Sequence, residues 1–560
     1  MFTRHFEYWP KRLPKSLPIP ETTIYDNLAT TTKRYPNKKA IVFYGTEITY
    51  KQLDTEVTKL AGYLQQELGV SKGDRVVLYM QNSPQYIISF YAILRADAVV
   101  VPINPMNVKD EVEFYLSDCD AKVALAGQEL IAEIEPCLGN TPLTNIIVAA
   151  YSDYAQKDLD YSVPPAVTAA KETFASTSII DWNDALSAGP TPRPSQAKSD
   201  DLCCLPYTSG TTGKPKGCMH THKTLQATLL GGIVWAHSSP ADIGLSTLPL
   251  YHVTGLQHNM NGPIYLGATM VVMTRWDRDV ALTLIERYGV TRWTNISTMV
   301  VDFLANPNLK KEAISSLKMI GGGGAPLPEA VGEKLFNLTG LRYVEGYGLT
   351  ETMSQIHQNP LERAKLQCLG MPQFDVDARV VDPVSLKELG PNEEGEIICT
   401  GEQVFKGYWN RPDETRGAFV TLDGKEFFRT GDIARYDEEG YFFLVDRVKR
   451  MINASGFKVW PAEVEMTLYK HPSVQNACVI GVPDERRGET VKAFIVLNDQ
   501  GKGTSEEEII AWSKEHMAAY KIPRIVQFLD ALPVSGSGKI LWRKLQEQEQ
   551  GDGSSSASLA

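Results

Sequence analysis

The chain has 560 residues, 43% of them hydrophobic and 22% charged, which is material for roughly two to four structural units with large cores. Asp and Glu outnumber Lys and Arg by 67 to 56, and the formal charge of −11 argues against bulk binding of nucleic acid. Eight scattered cysteines, none in a Cys-x-x-Cys pair, suggest neither a zinc site nor a redox motif and fit a reducing, cytoplasmic location.

The N-terminus, "MFTRHFEYWPKRLPKSLPIP", lacks the apolar core of a signal peptide and mixes aromatic with basic residues. It reads as an arm packed on the protein surface, with peripheral membrane contact as the alternative. No apolar run reaches membrane-spanning length.

A buried-strand run, "RVVLYM" (75–80), comes next. It leads into "NSPQYIISFYAIL", where Asn82 or Ser83 caps a helix, Pro84 sits in its first turn, and Ile87, Phe90, Tyr91 and Leu94 recur at helical spacing. "AVVVPI", "KVALAG", "NIIVAA", "LCCLPYT" and "TMVVMT" continue the strand series. Short apolar strands alternating with helices indicate an α/β fold, a large N-terminal domain of layered, mostly parallel sheets. Residues from about 160 to 200, rich in Pro, Ala, Ser and Thr, read as a long surface excursion. The last hundred residues form a smaller α+β unit, in which "TSEEEIIAWSKEHM" opens with a capping box from Thr504 to Glu507. The expected division is a large domain over 1–446, a hinge at 447–449, a small mobile domain over 450–545 and a disordered tail over 546–560.

The segment richest in chemistry is "YTSGTTGKPKG" (207–217). Gly210, Gly213 and Gly217 let backbone N–H groups converge; Thr208, Ser209, Thr211 and Thr212 add hydroxyl donors; Lys214 and Lys216 add charge. Together they suit a polyphosphate. The spacing is not that of a P-loop, because Gly210 and Gly213 are too close and Pro215 follows Lys214.

This loop resembles the phosphate-binding signature of the acyl-adenylate-forming superfamily, which includes acyl- and aryl-CoA synthetases, firefly luciferase and peptide-synthetase adenylation domains. Further signatures follow in the expected order: "PLYHVTG" (249–255), "GGGGAPL" (321–327), "EGYGLTE" (345–351), "FFRTGD" (427–432), "DRVKRMINASGFKV" (446–459) and "PVSGSGKI" (533–540). The resemblance runs from about residue 20 to 545 and implies an AMP-forming acid–CoA ligase. Transfer of AMP to a carboxylate gives a mixed anhydride with a good leaving group, and the thiol of CoA then displaces it.

The resemblance also implies the roles. Glu351, a hard oxygen ligand, would hold Mg²⁺ with Thr208, and Thr350 would contact the α-phosphate. Tyr347 would stack on adenine, with Gly323, Gly324, Ala325 and Pro326 along one side and Glu345, Gly346 and Gly348 beside it. Asp432 would reach the ribose, and Arg447 the ribose or a phosphate. His252 would lie by the carboxylate, in a pocket walled by Trp235, Tyr251 and Gly322. Lys539 would neutralise charge during adenylation, Lys449 would be the hinge, and Gly456 would line the pantetheine tunnel. Arg486, Arg487 and Arg524 are candidates for the CoA phosphates. Asn453 and Trp542 depart from residues that are basic in several relatives.

The expected partners are therefore a small carboxylic acid, ATP with Mg²⁺, and CoA, and no nucleic acid. Membrane contact through the arm and a homodimer stay open. A freestanding medium- or long-chain fatty acyl-CoA synthetase fits best. The alternatives are an aryl-CoA ligase and a non-catalytic nucleotide-binding relative.

Overall fold

A computed structural model describes all residues except 209–214, 448–449, 455–456, 485–487, 535–539 and 556–560. The chain divides into two compact units. The first comprises 1–378, 399–428 and 439–441; the second comprises 379–398, 429–438 and 442–560.

Two large sheets build the first unit. In the seven-stranded sheet, Arg75–Tyr79, Val99–Pro102, Val123–Gly127, Asn145–Ala149 and Ile179–Asp181 run parallel. Their β-branched runs are buried on both faces, as a sheet covered by helices requires. One covering helix, α1 (Tyr50–Gln66), packs against α2 (Pro84–Arg95). Ser83 caps α2 by accepting from the Tyr86 N–H at 3.1 Å, and Pro84 takes the first position. Every residue from Pro84 to Leu94 is buried, so α2 is enclosed all round rather than amphipathic.

The expected strand at 202–208 is two. Leu202–Cys204 joins the seven-stranded sheet, while β1 (Tyr207–Thr208) turns away to pair with β2 (Lys216–Gly217). Helix α3 (His222–Trp235) follows, its N-cap Thr221 accepting from the Thr224 N–H. The nine-stranded sheet carries a parallel core of β3 (Ile243–Ser246), β4 (Thr269–Val272), β5 (Arg292–Asn295), β6 (Met319–Gly323) and β7 (Val344–Leu349). Antiparallel β8 (Ser354–Gln358) then folds back on β7.

The stretch 160–200 is not a bare excursion. It supplies the edge strand Ile179–Asp181 and the helix Trp182–Ala188, and Trp182 is fully buried with its indole N–H donating to Tyr154 Oη at 3.2 Å. Composition hid this because a single edge strand and two turns of helix fall between proline-rich flanks. Pro190 lies so close to α1 that a Cβ at Gly62 would come 1.6 Å from its carbonyl oxygen. The N-terminal arm packs down too: Phe2, His5 and Trp9 are buried, and Trp9 meets the rings of Trp235 and Phe374 edge-on at 4.8 and 5.4 Å.

In the second unit, Val474–Asp484 and Gly488–Leu497 form a long antiparallel pair, joined by Ile525–Phe528 and by the short strands Ile452–Ala454 and Phe457–Val459. Helices Pro461–Leu468 and Glu506–His516 contribute Val464, Leu468 and Ile509 to its core. The capping box is one residue later than expected, with Ser505 as N-cap and Glu508 as its partner. The helix Trp542–Ser555 takes in residues expected to be tail. Residues 379–398 and 429–438 cluster with this unit although they precede the expected division at 446.

Trp182 gives a direct test of the buried role of 160–200. Trp182→Ala should lower unfolding stability by about 3–5 kcal/mol in urea titrations. A side chain on a solvated loop would cost within about 0.5 kcal/mol.

Candidate functional site

The loop 209–214 and its residues Ser209, Gly210, Thr211, Thr212, Gly213 and Lys214 lie outside the described residues, as do Lys449, Gly456, Arg486, Arg487 and Lys539. What carries the loop is described. Thr208 of β1 sits opposite Lys216 of β2, so the two strands flanking the loop are paired antiparallel. Tyr207 anchors their root, donating to Asp118 Oδ2 at 2.7 Å, and Arg411 holds the other oxygen of Asp118 at 2.6 Å.

Beyond β2 the chain is tied by backbone to 405–409. The N–H of Met219 donates to the Gly407 carbonyl at 3.0 Å, that of Lys406 to Met219 at 2.8 Å, and that of Trp409 to Gly217 at 2.8 Å. Phe405 N–H donates in turn to the Glu351 carbonyl at 2.8 Å. The result brings three side chains together. Tyr408 Oη donates to Glu351 Oε1 at 2.9 Å, and Lys216 Nζ lies 5.0 Å from the centre of the Tyr408 ring, a cation–π distance. Lys216 and Glu351 are both buried. Tyr408 was missed in the sequence; its only signal is an aromatic residue in "GYWN", some 57 positions from its carboxylate partner.

Glu351 sits in the short turn Thr350–Thr352 that joins β7 to β8. Thr350 presents its carbonyl to His220 Nε2 at 2.8 Å. Cys218 and Cys399 lie near enough for the Glu351 charge to act on them, and burial first, that charge second, push both thiols up.

The C-terminal end of β6 brings Gly322 and Gly323 beside Glu345 and Gly346 in the first half of β7, in the register Gly322 to Glu345 and Gly323 to Gly346. Gly324, Ala325 and Pro326 are exposed just beyond them, and Gly348 is exposed on β7. Tyr347 is half-buried, its ring 5.7 Å from that of His357. The glycines serve packing here: a Cβ at Gly322 would come 1.9 Å from the Asn295 carbonyl oxygen. The Glu345 side chain is held by the backbone around it. Its carboxylate accepts from the N–H groups of Leu327, Gln367 and Cys368 at 3.1, 3.2 and 3.2 Å. Burial lifts it to about 7 against the pull of those donors.

His252 and Tyr251 are half-buried in the segment after β3. Asn82 stitches this segment down, accepting from Leu250 N–H at 2.8 Å and donating to the Leu248 carbonyl at 2.9 Å. His252 Nδ1 accepts from Thr254 N–H at 3.3 Å. A π-helix, Gly255–Asn261, follows.

Between α3, this π-helix and β3 lies a cavity of about 80 Å³, walled by Leu229, Gly232, Ile233, Ser246, His258 and Met319 among others. Trp235 is not part of that lining. It faces the arm instead, with its indole N–H on the Asn359 carbonyl at 2.9 Å.

In the second unit Asp432 is buried and stands in register with Arg447 across an antiparallel pair; the Arg447 side chain is not among those described. Arg524 is exposed. Trp542 has its ring 5.8 Å from the Arg450 guanidinium and 5.2 Å from that of Arg543, a packing role that suits an aromatic at this position. The side chain of Asn453 is likewise not described.

The AMP-binding enzyme family matches residues 28–409, and the AMP-binding enzyme C-terminal domain matches 463–539. The long-chain-fatty-acid–CoA ligase of Bacillus subtilis is 36% identical over 554 residues, covering 97% of each chain. A feruloyl-CoA synthase from Amycolatopsis is 34% identical over 510 residues, covering 90% of this chain and 95% of its own. Among solved structures, an anthranilate CoA ligase in complex with anthranoyl-AMP superposes with a TM-score of 0.83 at 29% identity, covering 96% of this chain and 99% of its own.

Glu345 supplies a pH signature for this part of the fold. Its folded-state value lies above the ordinary 4.5, so its proton stabilises the fold fully below pH 4.5, and that contribution is lost as pH rises through about 7. Glu345→Gln removes the titration while keeping one oxygen for Leu327 and Gln367. Thermal unfolding between pH 4.5 and 8 should show wild type losing stability relative to the variant, by at most about 3 kcal/mol. Parallel pH profiles would refute the raised value.

Proposed function

The chain belongs to the AMP-binding enzyme family, as an AMP-forming acid–CoA ligase, and we propose on that premise that its acid is a medium- or long-chain fatty acid. The observation that carries the chemistry is the cluster of Lys216, Tyr408 and Glu351 at the root of the hairpin 207–217. It sets a buried cation and a buried carboxylate on either side of one phenol, beside a loop of hydroxyls and backbone donors. ATP and CoA are the co-substrates.

The residues present fit Mg²⁺. Glu351 is a buried carboxylate, the hard oxygen donor that Mg²⁺ prefers. Among the described residues no group of three His, Cys, Asp or Glu could hold a metal ion. Glu351, with Thr208, would thus supply part of a coordination sphere that nucleotide phosphates and water complete. Bound there, the ion would offset charge on the transferring phosphoryl group.

The protein's own groups account for the rest. Tyr408 fixes the rotamer of Glu351 through its hydroxyl. Lys216 places positive charge by the phosphates, and Thr350 offers its hydroxyl to the α-phosphate. Tyr347 gives adenine a ring to stack on, flanked by the backbone of Gly323–Pro326. His252 and Tyr251 stand by the carboxylate, and the acyl chain runs into the cavity beside α3, whose walls include Leu229, Ile233 and Met319. From the second unit, Asp432 and Arg447 take the ribose and Lys539 brings charge to the reacting carboxylate during adenylation. Lys449 is the hinge, and Gly456 leaves room for pantetheine in the thioester step.

Two experiments test this. Lys539→Ala should slow acyl-AMP formation from acid and ATP by about 10²–10³-fold, the cost of one preorganised charge. Given acyl-AMP and CoA, it should form thioester near the wild-type rate. Equal loss in both half-reactions contradicts the division of labour. For the acid, kcat/KM should rise with chain length from acetate, since each buried methylene contributes about 0.8 kcal/mol. An optimum at benzoate or ferulate, with no turnover of octanoate or longer acids, would favour the aryl reading that the feruloyl-CoA synthase relative motivates.

A further inference from the structure

The cavity beside α3 runs along β3. Its near end is at Ser246, which pairs with Thr294; the next residue, Asn295, pairs with Gly322 at the strand ends where the reaction is placed. Its far end is at Asp242 and Arg292, by the N-terminal ends of the strands. From Asp242 to Ser246 is roughly 13 Å of extended chain. The far end is charged. Arg292 Nε donates to Asp242 Oδ2 at 2.7 Å, and its Nη2 donates to the carbonyls of Ala236 and His237 at 2.8 and 3.1 Å. Those carbonyls follow the C-terminus of α3, where a cation is favoured. The side chains of Arg292 and Asp242 are 18% and 9% exposed, so the pair stands between cavity and solvent.

The geometry points to Arg292 as the residue that sets maximum acyl chain length, by bolting the rear of the slot. This rests on the reading above that the acyl chain occupies this cavity. A longer chain would press its apolar end on a guanidinium already engaged by one carboxylate and two carbonyls. Displacing it would leave Asp242 without its charge partner in a poorly solvated place. Gly244 offers the opposite control. It lies on the cavity wall, and a Cβ built there meets nothing closer than the Thr269 carbonyl oxygen at 4.0 Å, so a larger side chain can enter the slot from the strand.

The test is the chain-length profile of kcat/KM over saturated acids from hexanoate to stearate, for wild type, Arg292→Ala and Gly244→Leu. Arg292→Ala should move the optimum to longer acids, with gains of roughly fourfold for each methylene newly accommodated. Asp242 keeps the Ser239 N–H and the Thr291 hydroxyl as donors in that variant. Gly244→Leu should move the optimum to shorter acids. If Gly244→Leu leaves the profile unchanged, the chain does not lie in this cavity and that reading falls. If Gly244→Leu shortens the optimum while Arg292→Ala does not lengthen it, the slot stands and the bolt is overturned. Should Arg292→Ala fail to fold by circular dichroism, Arg292→Gln, which keeps a donor for Asp242 but is shorter, must show the same lengthening; an unchanged profile there also overturns the bolt.

Discussion

The geometry of the first unit's site depends on one backbone crossbar, the stretch 405–409. It hydrogen-bonds on one side to 217–219 and on the other to the carbonyl of Glu351. Each such bond contributes only about 1 kcal/mol. Their effect is positional, because they fix the root of the phosphate hairpin and the acidic turn to the same piece of chain. Gly407, at φ +121°, lets the crossbar bend, and a Cβ there would come 2.6 Å from Thr415. Without this bend the Tyr408 hydroxyl would not lie where Glu351 accepts it.

The crossbar also explains what was legible beforehand. The hairpin loop, the strand series and the acidic turn announce themselves locally, through residue types that only certain backbones or ligands want. Ser83 before Pro84 is such a signal, and the helix begins there. Tyr408 is not, because its meaning comes from Glu351 and Lys216, far away in sequence. Glu345 shows the converse. Its neighbours in "EGYGLTE" suggest a ligand, yet burial and three backbone donors claim its carboxylate. Trp235 shows the same limit. A tryptophan at the end of a pocket helix reads as lining, but one turn decides which way it faces, and here the arm claims that face.

The run Gly321–Gly324 holds a similar lesson in steric terms. Four small residues in a row suggest space, yet at Gly322 the space is already taken by a neighbouring strand's carbonyl. Glycine permits close approach of backbones as readily as it leaves a gap. The open space lies instead two strands away, beside Gly244.

The docking of the arm has a consequence for how the molecule is made. The Phe2 N–H is held by Asp377 and the Leu17 N–H by Asp375, while Trp9 rests on Phe374. At synthesis rates of roughly 5–20 residues per second, residues 2–17 wait on the order of half a minute for those partners to leave the ribosome. Until then Phe2 lacks Asp377 and Trp9 lacks Phe374, the partners that hold them in the folded chain. Burial of the arm therefore waits on contacts that span up to 375 residues of sequence.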